Sequence, residues 1–254
     1  MLKMDFRRLF TTPFFYIMTG ISLVIPILIL VMTTMMDGSV SVNPQTGVET
    51  VIEGFDNVWQ IIGSTSTTSA QSPETAMSLT SMCNINMLYF AIAVFVCVFV
   101  SGEFKSGYCK NLFTVRAKKT DYVVSKTLVG FVGGGMMLIA FFLGSLLGGG
   151  IAGLPFAMEG FTGFQLLCCM LAKIFIALLF VAVCLLASVV GKQKTWLSLL
   201  LALGFGMLFF TVIPMVTPLD STPLHLLLSL VGGIVFAVGI GAITNQVLKK
   251  TNLL

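Results

Sequence analysis

The amino-acid sequence reads as an all-α polytopic membrane protein with six transmembrane helices, both termini cytoplasmic, and a large outer loop after the first helix. Three observations predict this. Hydrophobic residues make up 57% of the 254 positions and charged residues only 9%, whereas a soluble domain carries about 25% charged residues. Too few polar groups remain to cover the surface, so lipid must cover part of it. Second, six apolar runs, at 13–34, 85–101, 127–152, 166–190, 196–216 and 225–247, each approach the ~20 residues a helix needs to cross the hydrocarbon core. Third, the cations alternate sides. Three of the fourteen Lys and Arg precede run one, six lie between runs two and three, two between runs four and five, and two follow run six; Lys173 alone lies within a run. The acids Asp37, Glu49, Glu53, Asp56, Glu74, Glu159 and Asp220 fall on the opposite side. The positive-inside rule then places the termini and segment 102–126 in the cytoplasm.

In residues 1–12, Leu2, Phe6 and Leu9 fall on one helical face. Pro13 suits the first helical position of run one, with Thr11 and Thr12 as candidate caps. That run is too long for a signal-peptide core, and the sequence predicts a retained helix. The outer loop 35–84 begins with VSVNPQTGVETVI, whose alternation around Asn43 to Gly47 predicts a β-hairpin. Phe55, Val58, Trp59 and Ile62 then share a helical face. Residues 63–81 hold eleven Ser or Thr in nineteen and read as irregular loop.

Segment 102–126 interrupts the apolar pattern. Phe104, Tyr108, Leu112 and Val115 share a face, with Lys105, Lys110 and Asn111 away from it. This spacing fits a short amphipathic helix along the membrane surface, and equally a solvated loop. Thr120 can cap a helix starting at Asp121, with Tyr122 and Lys126 at the water boundary. In run three, Gly130/Gly134, Gly144/Gly148 and Gly149/Gly153 have GxxxG spacing, which serves close packing within one subunit or between two. Lys173, seven residues into run four, either snorkels outward along its stem or faces an interface or a translocation path.

The six cysteines read as small buried hydrophobes: four lie in apolar runs, no CxxC occurs, and one His excludes a Cys/His zinc pattern. There is no phosphate loop, HExxH, GxSxG or EF-hand motif, so the chain is expected to be no enzyme and to hold no cofactor or metal. Asp and Glu are absent from the apolar runs, which counts against an ion-coupled carrier.

SGEFKSGYCKN, a basic turn, and TDYVVSK resemble the segment after helix two of ABC-2 type permeases, the membrane subunits of bacterial ABC exporters. Glu103, Gly107, Lys110, Asn111, Tyr122 and Lys126 carry the match, and the length, six runs and outer loop agree. The tail departs from the family's pattern: Thr251-Asn252 stands where members often have a basic residue followed by Asp. The resemblance implies one permease domain over 1–254 in the bacterial plasma membrane. It implies a second permease subunit, identical or closely homologous, and a separate cytoplasmic ATPase that holds ATP and Mg. It makes 102–126 a coupling segment, with Glu103, Phe104, Lys105, Gly107, Tyr108, Lys110 and Asn111 as ATPase-coupling residues. Small permeases of this layout resemble exporters of bacteriocins, lantibiotics or phenol-soluble modulins, so an amphipathic peptide is the expected cargo, with membrane lipids around it and no nucleic acid. An ATP-independent channel or carrier, or a passive immunity or scaffold subunit, is the alternative.

Overall fold

The computed structural model describes residues 1–42, 49–51, 54–63, 84–114, 118–157, 162–192, 194–210, 213 and 216–250. Among the described residues eight α-helices carry the fold: α1 (Leu2–Thr11), α2 (Pro13–Met36), α3 (Leu88–Lys105), α4 (Tyr108–Thr114), α5 (Lys119–Ala152), α6 (Gly163–Gly191), α7 (Thr195–Phe210) and α8 (Pro223–Lys250). Between α2 and α3 lie two short strands, β1 (Val40–Val42) and β2 (Glu49–Val51), paired antiparallel with Ser41 opposite Thr50. This is the hairpin that the alternating pattern predicts; its tip, and the Ser/Thr-rich 64–83, lie outside the described residues.

Among the described residues, five helices are long and apolar enough to cross a membrane: Pro13–Met36, Ile85–Lys105, Lys119–Ala152, Gly163–Gly191 and Pro223–Lys250. The fifth run, 196–216, differs. Its described part forms α7, sixteen residues or about 24 Å at 1.5 Å per residue, and the rest of the run lies partly outside the described residues. Pro214 and Pro218, which offer no backbone N–H, follow it in sequence.

Pro13 does open α2, but Thr12 caps it without its side chain. The hydroxyls of Thr11 and Thr12 donate back to the Arg7 and Arg8 carbonyls, so they close α1 instead. Likewise α5 starts at Lys119 with Lys118 as N-cap, ahead of the expected Thr120 cap. Its 34 residues span about 51 Å at 1.5 Å per residue, so one end projects beyond the hydrocarbon.

α2 lies along α5, and α8 along α6. The glycines of α5 explain the first pairing. A Cβ on Gly144 would sit 2.1 Å from the Leu23 carbonyl oxygen, and one on Gly148 would sit 2.8 Å from Ile27 Cα. Gly130 faces Val181 of α6, Gly134 faces Ile92 of α3, and Gly149 faces Val58 of the outer segment. The glycine motifs are therefore used inside one subunit. Gly153 plays another part: with φ +72° it forms the left-handed C-cap of α5.

The segment between β2 and α3 is tied to the chain just beyond α5. Val58–Ile61 form a 3-10 turn capped by Asn57. Asn57 Nδ2 donates to the Ala157 carbonyl at 2.8 Å, and Trp59 Nε1 to that of Phe156 at 2.7 Å. Phe55, Val58, Ile61 and Ile62 are buried. Among the described residues the five cysteines are free and buried, as small hydrophobes should be.

Candidate functional site

α3 carries a carboxylate near its C-terminal end. It runs on to Lys105 and stops because Gly107 adopts φ +72°, a left-handed conformation that glycine takes without Cβ strain. A Cβ there would meet nothing within 4 Å, so the bend, not a close backbone approach, calls for glycine. α4 then begins, with Asn111 N–H bonded to the Gly107 carbonyl. Phe104 and Tyr108 thus lie on two different helices, not on one amphipathic face as their spacing predicts.

Glu103 is wholly buried. Its Oε1 accepts from Arg8 of α1 and Lys126 of α5, and its Oε2 from the Tyr122 hydroxyl at 3.0 Å. Lys126 also reaches Asp5 Oδ1 at 2.5 Å, and the Ser125 hydroxyl donates to Asp5 Oδ2. Two carboxyl groups and two cations from three helices therefore share one site. Aromatic rings close it: Arg8 lies 5.0 Å from the Phe99 ring centroid, and Lys126 lies 5.3 Å from it. These faces attract cations. Such a cluster is tolerable in a buried setting because each charge has an opposite partner and further hydrogen bonds. Arg8, with a side chain 38% exposed, contributes the weaker pairing.

α4 is hung on the same cluster. Cys109 is buried, and its thiol pairs with the Tyr122 hydroxyl at 3.6 Å. Burial pushes that thiol up to about 11, the Tyr122 bond working against it. The Tyr108 ring lies 5.9 Å from the Arg8 guanidinium. Its hydroxyl is held above its ordinary value first by burial and then by the negative charge of Asp5 and Glu103. Phe113 packs edge-on to Tyr122 at 5.5 Å.

The expected coupling residues thus separate into two groups. Lys105 and Asn111 are exposed and Tyr108 is half-buried. Lys110 lies on α4. Glu103 and Phe104 are buried within the subunit, so neither offers a surface to a partner; they anchor the segment instead. Lys126, expected at the water boundary, is buried for the same reason. Sequence reasoning missed Asp5, Arg8 and Ser125. One signal was available: Asp5 and Leu9 are one turn apart on α1, and both are buried, so an acid sits on the apolar face.

Lys173 forms a second polar site. It is wholly buried in α6 and does not snorkel. Its Nζ donates to Asn86 Oδ1 at 3.1 Å, Thr217 Oγ1 at 3.0 Å and the Thr217 carbonyl at 3.4 Å. The Tyr89 hydroxyl donates to the Lys173 carbonyl at 2.8 Å. Lys173 thus faces the interior of its own subunit. Among the described residues no group of three His, Cys, Asp or Glu side chains is placed to hold a metal ion.

No curated protein and no solved structure matches the chain. A family model described as ABC-2 family transporter protein matches residues 1–209, a span that takes in α1 to α6 and all four charged members of the cluster. Five apolar spans and this match place the chain in the cell membrane as a multi-pass protein, and it belongs to the ABC-2 transporter family, as a permease.

Proposed function

We propose that this permease moves amphipathic peptides outward, driven by a separate cytoplasmic ATPase that docks on residues 105–114. The family implies an ABC ATPase partner; the docking place, the cargo and the direction are our reading. One observation carries it. The exposed Lys105, Ser106 and Asn111 and the half-buried Tyr108 sit directly beyond Glu103, whose carboxylate is bonded to Arg8, Tyr122 and Lys126. A push on this segment is therefore delivered to α1, α3 and α5 together. Gly107 lets the chain turn there without strain.

The peptide cargo is supported by exposed apolar walls on α2 and α8, with Ile17, Leu28, Leu224 and Val235 among them, and by the scarcity of charge in the spans. The reading includes a second permease subunit, identical or closely homologous, and the glycine motifs of α5, used internally, leave other faces for it.

The test is the double substitution Lys105→Ala with Asn111→Ala, both exposed and outside the cluster. Membrane insertion should be unchanged. Co-purification of the ATPase should weaken, or its hydrolysis should lose stimulation by cargo in proteoliposomes. Couplings of this kind are typically about 1–3 kcal/mol, or a 5–150-fold change in the coupled equilibrium. Wild-type binding and transport in the double variant would make 105–114 a membrane-surface loop. It would then favour the passive-subunit or ATP-independent reading.

A further inference from the structure

We propose that α1 is a binding face for anionic phospholipid headgroups, held by Lys3 and Arg7. Thr12 alone separates α1 from α2, so the first membrane span fixes α1 at the membrane boundary. At about 3.6 residues per turn, its residues sort into sectors. Asp5 and Leu9 turn inward and are buried, with Arg8 beside them on Glu103. Leu2 and Phe10 are 41% and 42% exposed, and Phe6 lies between them, stacked on Phe10 at 6.4 Å. Lys3 and Arg7, one turn apart, occupy the adjoining sector and are exposed.

Charge complementarity selects the occupant. Asp5, the acid of α1, is committed to Lys126 and Ser125. Among the described residues neither Lys3 nor Arg7 forms an ion pair. Two uncompensated cations beside an apolar strip match a phosphate headgroup and the start of its acyl chain, the pattern of a helix lying in the boundary region. A free phosphate would meet the cations and leave the strip in water. Tyr16, 58% exposed with its hydroxyl donating to the Phe10 carbonyl at 2.9 Å, puts an amphipathic ring at the same level, where such rings concentrate. Because the inward sector of α1 holds Asp5 and Arg8, headgroup binding and the buried cluster act on opposite sides of one ten-residue helix.

The test uses the full chain purified in mild detergent, without any ATPase, so its result is independent of where an ATPase docks. Phosphatidylglycerol or phosphatidylcholine is titrated in, and retained lipid is counted by native mass spectrometry. The wild type should retain phosphatidylglycerol in preference, less so at high salt. Lys3→Gln with Arg7→Gln should raise the phosphatidylglycerol midpoint roughly thirtyfold, from about fivefold per cation, and leave phosphatidylcholine unchanged. The charge-keeping exchange Lys3→Arg with Arg7→Lys should stay within a few-fold of wild type. Lys249→Gln with Lys250→Gln, at the end of α8, should also leave the midpoint in place. An unchanged midpoint in the Lys3/Arg7 neutral variant overturns the proposal. So does equal retention of the two lipids by wild type, or competition by free glycerol phosphate at the concentrations where the lipid binds.

Discussion

Lys126 and Lys173 are both wholly buried, and the chain compensates them in opposite ways. Lys126 sits between two carboxylates, Asp5 and Glu103, from two other helices. The hydrogen bonds of Lys173 go to neutral oxygens of Asn86 and Thr217. In the first site every charge depends on the others, so losing one member strands the rest. In the second, an apolar replacement removes a buried cation together with the need to solvate it, and strands only neutral acceptors. Counter-charge makes a junction stiff and intolerant, whereas neutral oxygens make it replaceable.

The comparison breaks most visibly at Lys126. Lys126→Met leaves Asp5 and Glu103 buried with Arg8 as their remaining cation, and should cost about 3–5 kcal/mol. The readout is thermal stability and the fraction of monodisperse protein after solubilisation. A loss no greater than that of Lys173→Met would end the distinction. Lys173→Met should cost about 1–3 kcal/mol for unpaired buried acceptors, offset by the cation no longer buried, so its net effect on the same assay should be clearly smaller.

Two tyrosines sharpen the contrast on a finer scale. The Tyr122 hydroxyl donates to a carboxylate, and that of Tyr89 to a backbone carbonyl. Tyr122→Phe should therefore lose about 1.5–3 kcal/mol and Tyr89→Phe about 0.5–1.5 kcal/mol. Equal losses would mean that the Glu103 bond is no stronger than a neutral one.

The smallest effect concerns Cys109, at the edge of the charged site. Its thiol is neutral in the folded chain up to about 11, while an unfolded thiol ionises near pH 8.5. A raised value stabilises below the unfolded pKa and is lost as pH rises through the folded one, so any destabilisation appears between those limits. In a variant whose only cysteine is Cys109, alkylation by iodoacetamide should be slow at pH 8 and still rising with pH beyond 9.5. A plateau near pH 9 would show an exposed thiol rather than a buried one.

Much of the fold is visible in composition and periodicity, because spans and hairpins are local. The runs at 13–34 and 127–152 lie inside α2 and α5, and the alternation around residues 43–47 matches the pairing of Val40 with Val51. The charged site is visible only in part. Of the ten acids, Asp5, Glu103 and Asp121 alone share the side of the cations, and two of these three are buried in the cluster. The bond from Lys126 to Asp5 joins residues 121 apart, which no window of sequence brings together. Glu103, following an apolar run, looks like the first wet residue after a span; burial against α1 reverses that reading. Cap chemistry also misleads, since Thr120 turns its hydroxyl to Asn245 of α8 rather than to the start of its own helix.

The contact at Gly144 has a mechanical consequence. With the Leu23 carbonyl against the bare Cα region of Gly144 and Ile27 Cα against Gly148, backbone meets backbone, and the only flexible side chain at the two glycines among the nearest atoms is that of Leu30. A shift of one residue, about 1.5 Å, would drive that carbonyl into a neighbouring Cβ. α2 and α5 therefore have a single way to fit and travel as one strut. That strut carries Lys126 at one end and, at Gly149, the Val58 contact of the outer segment at the other. The two ends lie about 35 Å apart along α5 at 1.5 Å per residue, so the charged cluster and the Val58 contact share one helix.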